Sequence, residues 1–246
     1  MKRINWYIVL GSSLVIVSLI LYFIQIAIFR RTHETFFYML QDLAFVPVQV
    51  LLVTLIISGV LNMREKRLRL EKLNMVIGTF FSEVGTRLIA YFSNFDPKLD
   101  NIRKNLIVRK EWSDQDFLSV RKNLKNYDYG VEIQKINLED LRIFLTGKRH
   151  FLVRLLENPV LLEHESFTEL LRAVFHLTEE LAAREDLQKL PNTDCAHLAG
   201  DIARAYVLLV HEWLDYMKHL KDNYPYLFSL AMRTNPFDQS ATVIVK

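Results

Sequence analysis

Two long runs without a charged residue open the chain, and they limit what it can fold into more than any later feature. Residues 4–29 contain no Asp, Glu, Lys or Arg, and neither do residues 43–63. About 20 apolar residues at ~1.5 Å rise span the ~30 Å hydrocarbon core of a bilayer, so each run is long enough to cross one. The first is too long for the roughly 7–15-residue apolar core of a secretory signal. Its exit, Gln25-Ile26-Ala27-Ile28-Phe29-Arg30-Arg31, offers no small-x-small cleavage site. The expected anchor is an N-terminal two-helix transmembrane hairpin over residues 1–63, with spans at about 4–29 and 43–63.

Orientation follows from the basic residues of the short flanks. Lys2 and Arg3 precede the first span, and Arg64, Lys66, Arg67, Arg69 and Lys72 follow the second. Only Arg30 and Arg31 lie between them. Seven against two places both termini in the cytoplasm, with a loop over residues 30–42 outside. The expected location is the cell inner membrane, multi-pass. The aromatic and apolar cluster Phe36, Phe37, Tyr38, Met39 and Leu40 is expected at the headgroup level of that loop. The basic cluster Arg64, Lys66, Arg67, Arg69 and Lys72 serves as a topology determinant and as a lipid-headgroup contact, at ~1 kcal/mol per basic residue near an anionic surface. Gln25 and Gln49 are expected to hydrogen-bond across the hairpin. Gly11, Ser18, Ser58 and Gly59 would let its two helices approach closely.

The remaining 183 residues are scarce in Gly and Pro and read as one all-α cytoplasmic domain. A membrane-proximal helix at 64–93 continues the second span, a bundle occupies 98–234, and a tail covers 235–246. Leu70, Leu73, Ile77, Phe80 and Val84 keep a 3-4 spacing, the pattern of a coiled-coil-like seam, and are assigned to self-association. Gly78 and Gly85 share a face of that helix; they are either tolerated glycines, a break, a close helix contact or a hinge. Helices are expected at 98–110 and 114–127, the second capped by Ser113 and Asp116. Residues 127–136 form a turn with room for a short strand. Asn137 caps a short helix ending near Gly147, and another runs to Asn158. A Ser166–Glu169 capping box opens a helix over 167–187 that Pro191 closes. Asp194 caps the longest soluble helix, which ends near Asn223 before Pro225. Residues 241–245 are β-prone. Basic side chains are concentrated at 98–125 and acidic ones at 157–186, which lets these regions face each other, solvent or a partner.

Few residues suggest chemistry. His197 and Asp201 stand four apart on the long helix, and His211, Asp215 and His219 form a second row on it. Spacing by four brings side chains to one face, as helical metal sites require, and Glu179 and Glu180 beside His176 can join from the preceding helix. The row lies away from the apolar face, so a solvated surface is the simpler reading. Phosphate-binding, dinucleotide, zinc-protease and hydrolase motifs are missing; His211-Glu212 begins a His-Glu-x-x-His pattern that Asp215 leaves unfinished. No cofactor is expected. Cys195 is the single cysteine, so no intrachain disulfide is possible. Trp112 among Arg109, Lys110, Arg121 and Lys122 is a faint nucleic-acid signature, and no nucleic-acid partner is expected. Neither span holds an Asp, Glu, Lys, Arg or His, which argues against a proton-coupled transporter.

The stretch Pro47-Val48-Gln49-Val50-Leu51-Leu52-Val53-Thr54-Leu55, then Lys72-Leu73-Asn74-Met75-Val76-Ile77-Gly78 and Phe80-Phe81-Ser82-Glu83-Val84-Gly85, resembles uncharacterised prokaryotic two-transmembrane-helix proteins with a helical cytoplasmic domain. Tyr224-Pro225-Tyr226-Leu227-Phe228-Ser229-Leu230 and Asn235-Pro236-Phe237 are similar to the same group. The resemblance implies no activity. The sequence favours a membrane-anchored helical interaction or scaffold module, self-associating and binding a cytoplasmic protein partner. A small oligomeric ion channel and a metal-dependent enzyme using the 197–219 helix face are the alternatives, and an enzyme ranks last.

Overall fold

The computed structural model describes residues 2–159, 161 and 164–244, of which residues 2–8, 29 and 69 are described by backbone alone. Every regular element among them is helical: α1 (Lys2–Phe29), α2 (Thr32–Phe80), a π turn (Phe81–Gly85), α3 (Thr86–Ser93), α4 (Asp100–Arg103), α5 (Asp114–Lys125), α6 (Leu138–Leu156), α7 (Glu165–Ala182), α8 (Asn192–Asn223) and α9 (Pro225–Arg233), with short 3-10 turns at Lys104–Leu106 and Ile133–Lys135. The all-α expectation holds, and neither 127–136 nor the described part of the tail forms a strand. Val245 lies outside the described residues. The chain divides into two compact units, Met1–Lys66 and Arg67–Lys246.

In the first unit, the outer loop expected over residues 30–42 shrinks to Arg30 and Arg31, and α2 starts at Thr32. Arg30 makes the turn in the left-handed region, with φ 50°. Arg31 then pairs with Glu34 at 2.9 Å in the first turn of α2, where a carboxylate favours the helix dipole. The aromatic cluster from Phe36 to Leu40 is therefore helical and exposed. A Cβ added at Gly11 or Gly59 would meet nothing within 4 Å, so the close approach expected at these glycines is not made. Gln25 and Gln49 are both exposed, and no hydrogen bond joins them among the described residues.

The second unit is built around α8, which packs on α3, α5, α7 and α9. Its Ile202, Ala205, Tyr206, Leu209, Val210 and Met217 are fully buried. The seam assigned to self-association is spent here. Leu73, Ile77, Phe80 and Val84 are buried in the chain's own core, while Leu70 is exposed. Phe80 meets Phe167 of α7 edge-on at 5.3 Å, and Phe81 stacks on Tyr216 of α8 at 5.3 Å. The coiled-coil spacing thus records intrachain packing, because a helix face cannot serve two partners.

Both glycines of that face have a defined role. At Gly78 a Cβ would stand 2.9 Å from the Tyr216 hydroxyl, so the missing side chain admits α8. Gly85 ends the π turn, in which Thr86 N–H reaches back to Phe81 O. A Cβ there would lie 2.5 Å from Phe81 Cδ1 and 2.9 Å from Phe80 Cε1. The extra residue of a π turn rotates the helix face, which lets Phe80, Phe81 and Val84 all point inward.

Caps set most of the remaining boundaries. Ser113 and Asp116 form a complete capping box on α5, and Asn137 accepts from the N–H groups of Glu139 and Asp140 on α6. α6 continues through Gly147 instead of ending there. An internal glycine costs up to ~1 kcal/mol, whereas Leu152 and Leu155, buried beyond it, each return roughly 1.5–3 kcal/mol. α7 is capped by His164, whose Nδ1 accepts from Phe167 N–H, and not by the Ser166–Glu169 box. It stops at Ala182, short of 187, because the Arg184 guanidinium folds back onto the Glu180 carbonyl at 2.5 Å and satisfies the helix end. Pro191 is the N-cap of α8, and Asp194 sits in its first turn. The helix expected over 98–110 breaks at Ile107, which leaves helical geometry at ψ 86°. Asn235 and Phe237, assigned to the tail, belong to the core: Asn235 Nδ2 donates to Leu106 O at 2.9 Å, and Phe237 packs on Trp213 at 5.2 Å.

Phe80 and Phe81 are held by Phe167 and Tyr216, so neither ring has room to yield at Gly85. Gly85→Ala should cost about 1–3 kcal/mol through overpacking, more than Ala gains in helix propensity. Thermal unfolding of the detergent-solubilised protein should show a midpoint lowered by about 2–4 °C per kcal/mol. An unchanged midpoint would show that the rings move aside.

Candidate functional site

The polar face of α8 is solvated only in part. With helices on several sides, most of its circumference becomes interface, and Asp201 and Glu212 are only 4% and 5% exposed. Among the described residues, one group of three side chains has the arrangement of a metal site: His176, His197 and Asp201. His197 and Asp201 stand one turn apart on α8, as their spacing required, and the packing of α7 against α8 delivers His176. Asp201 Oδ2 lies 3.3 Å from His197 Nε2 and 3.6 Å from His176 Nε2. The imidazoles are 53% and 48% exposed, so the group opens to solvent over a buried carboxylate.

Four charged neighbours surround the group. Glu180 reaches both imidazoles, with Oε1 3.7 Å from His176 Nε2 and Oε2 3.5 Å from His197 Nε2. Arg184 holds the same Glu180 Oε2 at 2.7 Å and grips Asp194 through two bonds of 2.7 and 2.6 Å. These bonds lower the Glu180 and Asp194 carboxyls and raise the Arg184 guanidinium. Arg204 Nη1 stands 3.6 Å from Asp201 Oδ1. Cys195 contributes nothing to the group; its Sγ lies 3.9 Å from Leu190 O.

The second row, His211, Asp215 and His219, is not brought together. Asp215 bonds Arg121 of α5 at 2.8 Å, and the His211 ring lies 6.3 Å from that of Tyr129. His219 turns toward Asn223 and Tyr224. Burial lowers both histidines and raises Asp215. Of the two acidic residues beside His176, Glu179 is taken by Arg149 at 2.7 Å. Trp112 packs edge-on against Phe117 at 5.0 Å, which removes it as a free stacking platform. In the basic cluster, Arg64, Lys66, Arg67 and Lys72 are exposed, and Arg67 lies 3.7 Å from Glu71.

Sequence reasoning missed one buried polar cluster. Asp96 accepts a 2.6 Å bond from the Tyr127 hydroxyl and a 2.9 Å bond from Lys98 N–H. Tyr129 and Tyr206 pack ring to ring beside it at 5.3 Å. Burial and the Asp96 charge raise all three phenols; only the Tyr127 hydroxyl donates to Asp96, and those of Tyr129 and Tyr206 are buried with no hydrogen-bond partner among the described residues. The only sequence signal was Tyr127-Asp128-Tyr129, which reads as a turn.

A family model described as "Uncharacterized protein MJ1433, C-terminal helical domain" matches residues 69–233, and one described as "MJ1433, N-terminal helical domain" matches residues 2–61. The "Uncharacterized protein MJ1433" of Methanocaldococcus jannaschii is 48% identical over 240 residues, covering 98% of this chain and 96% of that one. The chain belongs to this family. His176, His197 and Asp201, the Asp96 cluster and Glu212 all fall within the C-terminal family region. No solved structure matches the chain.

Glu212 gives a pH-dependent test of this packing. Burial is the main cause that raises its carboxyl, against opposing pulls from Ser166 and His164. A folded pKa above the unfolded value of ~4.3 means that the stability contribution is intact below that value and is lost as pH rises through the folded one. Glu212→Gln should therefore leave the melting temperature near the parent's at pH 4 and raise it by about 2–4 °C at pH 8, the shift of roughly 1 kcal/mol in a chain of this size. Equal shifts at both pH values would show that ionisation is not what costs stability there.

Proposed function

We propose that the chain is a membrane-anchored binding module: α1 and the uncharged part of α2 cross the inner membrane as a hairpin, both termini face the cytoplasm, and the helical bundle is held at the inner leaflet. One observation carries this reading. Two helices are long and apolar enough to cross a bilayer, Val9–Ile28 and the run within Thr32–Ser93, and none of the apolar window of either is buried. Phe23 is 74% exposed and Leu55 61%. Each such side chain left in water forgoes roughly 1.5–3 kcal/mol of burial. Over two spans the sum reaches tens of kcal/mol, beyond the ~5–15 kcal/mol that holds a domain folded. Hydrocarbon is the solvent that supplies it.

The basic residues favour the orientation with Arg64, Lys66, Arg67, Arg69 and Lys72 at the cytoplasmic headgroups. The lack of any Asp, Glu, Lys, Arg or His within the uncharged runs supports an anchor over an ion pathway. The bundle, with its half-open His/Asp group, is the working part, and the hairpin confines it to the membrane surface. Burial of Leu73, Ile77, Phe80 and Val84 leaves that seam without a part in self-association.

The full chain should stay in the membrane pellet after alkaline carbonate extraction and leave it only with detergent. A fluorescent reporter fused after Lys246 should fold and fluoresce in cells, whereas a periplasm-dependent phosphatase fused there should be inactive. Release by carbonate would refute the anchor. An active phosphatase would reverse the orientation and leave the anchor intact.

A further inference from the structure

We propose that His176, His197 and Asp201 form a binding site for one divalent transition-metal ion, bridging α7 and α8 and leaving a coordination position open to solvent. The site goes beyond the anchor reading and does not rest on it.

The geometry is the first argument. The three ligand atoms lie within 4.8 Å of one another, with Asp201 Oδ2 at 3.3 and 3.6 Å from the two Nε2 atoms. Zinc bonds to His and carboxylate are ~2.0–2.2 Å, which sets ligand atoms of a tetrahedron about 3.3–3.5 Å apart. The same distances suit hydrogen bonds poorly, since a charge-assisted N–H···O⁻ bond is ~2.7–2.9 Å.

The second argument is independent of the distances. Asp201 is 4% exposed, and its Oδ2, the oxygen facing both imidazoles, has no hydrogen-bond partner. A buried carboxylate oxygen without a partner is costly, and natural sites resolve that cost by pairing or by metal coordination. A cation between Oδ2 and the two Nε2 atoms satisfies all three at once.

The donor set narrows the ion. Two imidazoles and one carboxylate suit Zn²⁺ and Fe²⁺, whereas Mg²⁺ and Ca²⁺ require a shell of oxygens. Three protein ligands with an open fourth position are the pattern of reactive rather than purely structural zinc sites. Glu180 stays outside the shell: Arg184 holds its Oε2 at 2.7 Å, and from there it offers an acceptor on the Nε2 side of both imidazoles, beside the open position.

The test uses the full chain in detergent, purified through a cleaved tag without histidines, stripped with chelator and titrated with ZnCl₂ by calorimetry. The expected result is one ion per chain, with affinity weakened about tenfold or more in Asp201→Asn and in His197→Gln, and unchanged in His150→Gln, an exposed histidine outside the group. Zinc should raise the melting temperature of the parent and not of the two ligand variants. Asp201→Asn removes a buried charge whose Oδ2 accepts no hydrogen bond, so its stripped form should melt no lower than the stripped parent. His176→Gln, at a half-exposed position, provides a further variant for the same titration should Asp201→Asn misfold. Failure of the parent to bind zinc, or binding that the His176, His197 and Asp201 variants leave unaltered, would overturn the proposal.

Discussion

The burial of α8 is the constraint on which the rest of the soluble unit depends. Its apolar side chains receive α3, α5, α7 and α9, and the cost of ordering more than thirty residues of helix is recovered only because nearly every side of it is covered. That enclosure determines what becomes of its polar residues. On a surface helix, His197, Asp201, His211, Glu212, Asp215 and His219 would all be solvated. Here Asp201 and Glu212 are carried into the interior, and Asp215 is drawn to an arginine on α5.

The glycine pair on the N-terminal side of the bundle belongs to the same economy of space. Gly78 lets Tyr216 approach, and Gly85 lets Phe80 and Phe81 turn inward through a π turn. The aromatic contacts that follow, Phe80 to Phe167 and Phe81 to Tyr216, fix α2 against α7 and α8 within this unit. Since α7 also brings His176 to Asp201, the packing that secures the core is the packing that assembles the His/Asp group.

Much of the fold was legible in the sequence because local rules dominate helices. The cap at Asn137 and the box at Ser113 and Asp116 follow from side chains that satisfy free backbone groups at the helix ends, and the end of α8 at Asn223 follows from Pro225. The errors fall where a non-local partner overrode a local signal. Gly147 did not stop α6, because Leu152 and Leu155 lay beyond it with a core to enter. Ser166 did not cap α7, because the His164 ring reached Phe167 N–H first. Residues 70–84 read as a coiled-coil seam, because periodicity reports that a face is apolar and not which helix covers it. Of the candidate site, His197 and Asp201 were legible as an i, i+4 pair. His176 was visible only as a neighbour of Glu179 and Glu180, since no rule of spacing connects it to α8.

The sequence by itself determined the helical class, the two uncharged runs and the sign of the charge that flanks them, because hydropathy, periodicity and charge are properties of residue order alone. Tertiary structure decided which apolar faces were already taken, which polar side chains were buried, and which histidine of α7 met which carboxylate of α8. Those outcomes depend on the rotation and register of one helix against another, which side-chain volumes and the gaps at Gly78 and Gly85 set jointly and no single segment encodes.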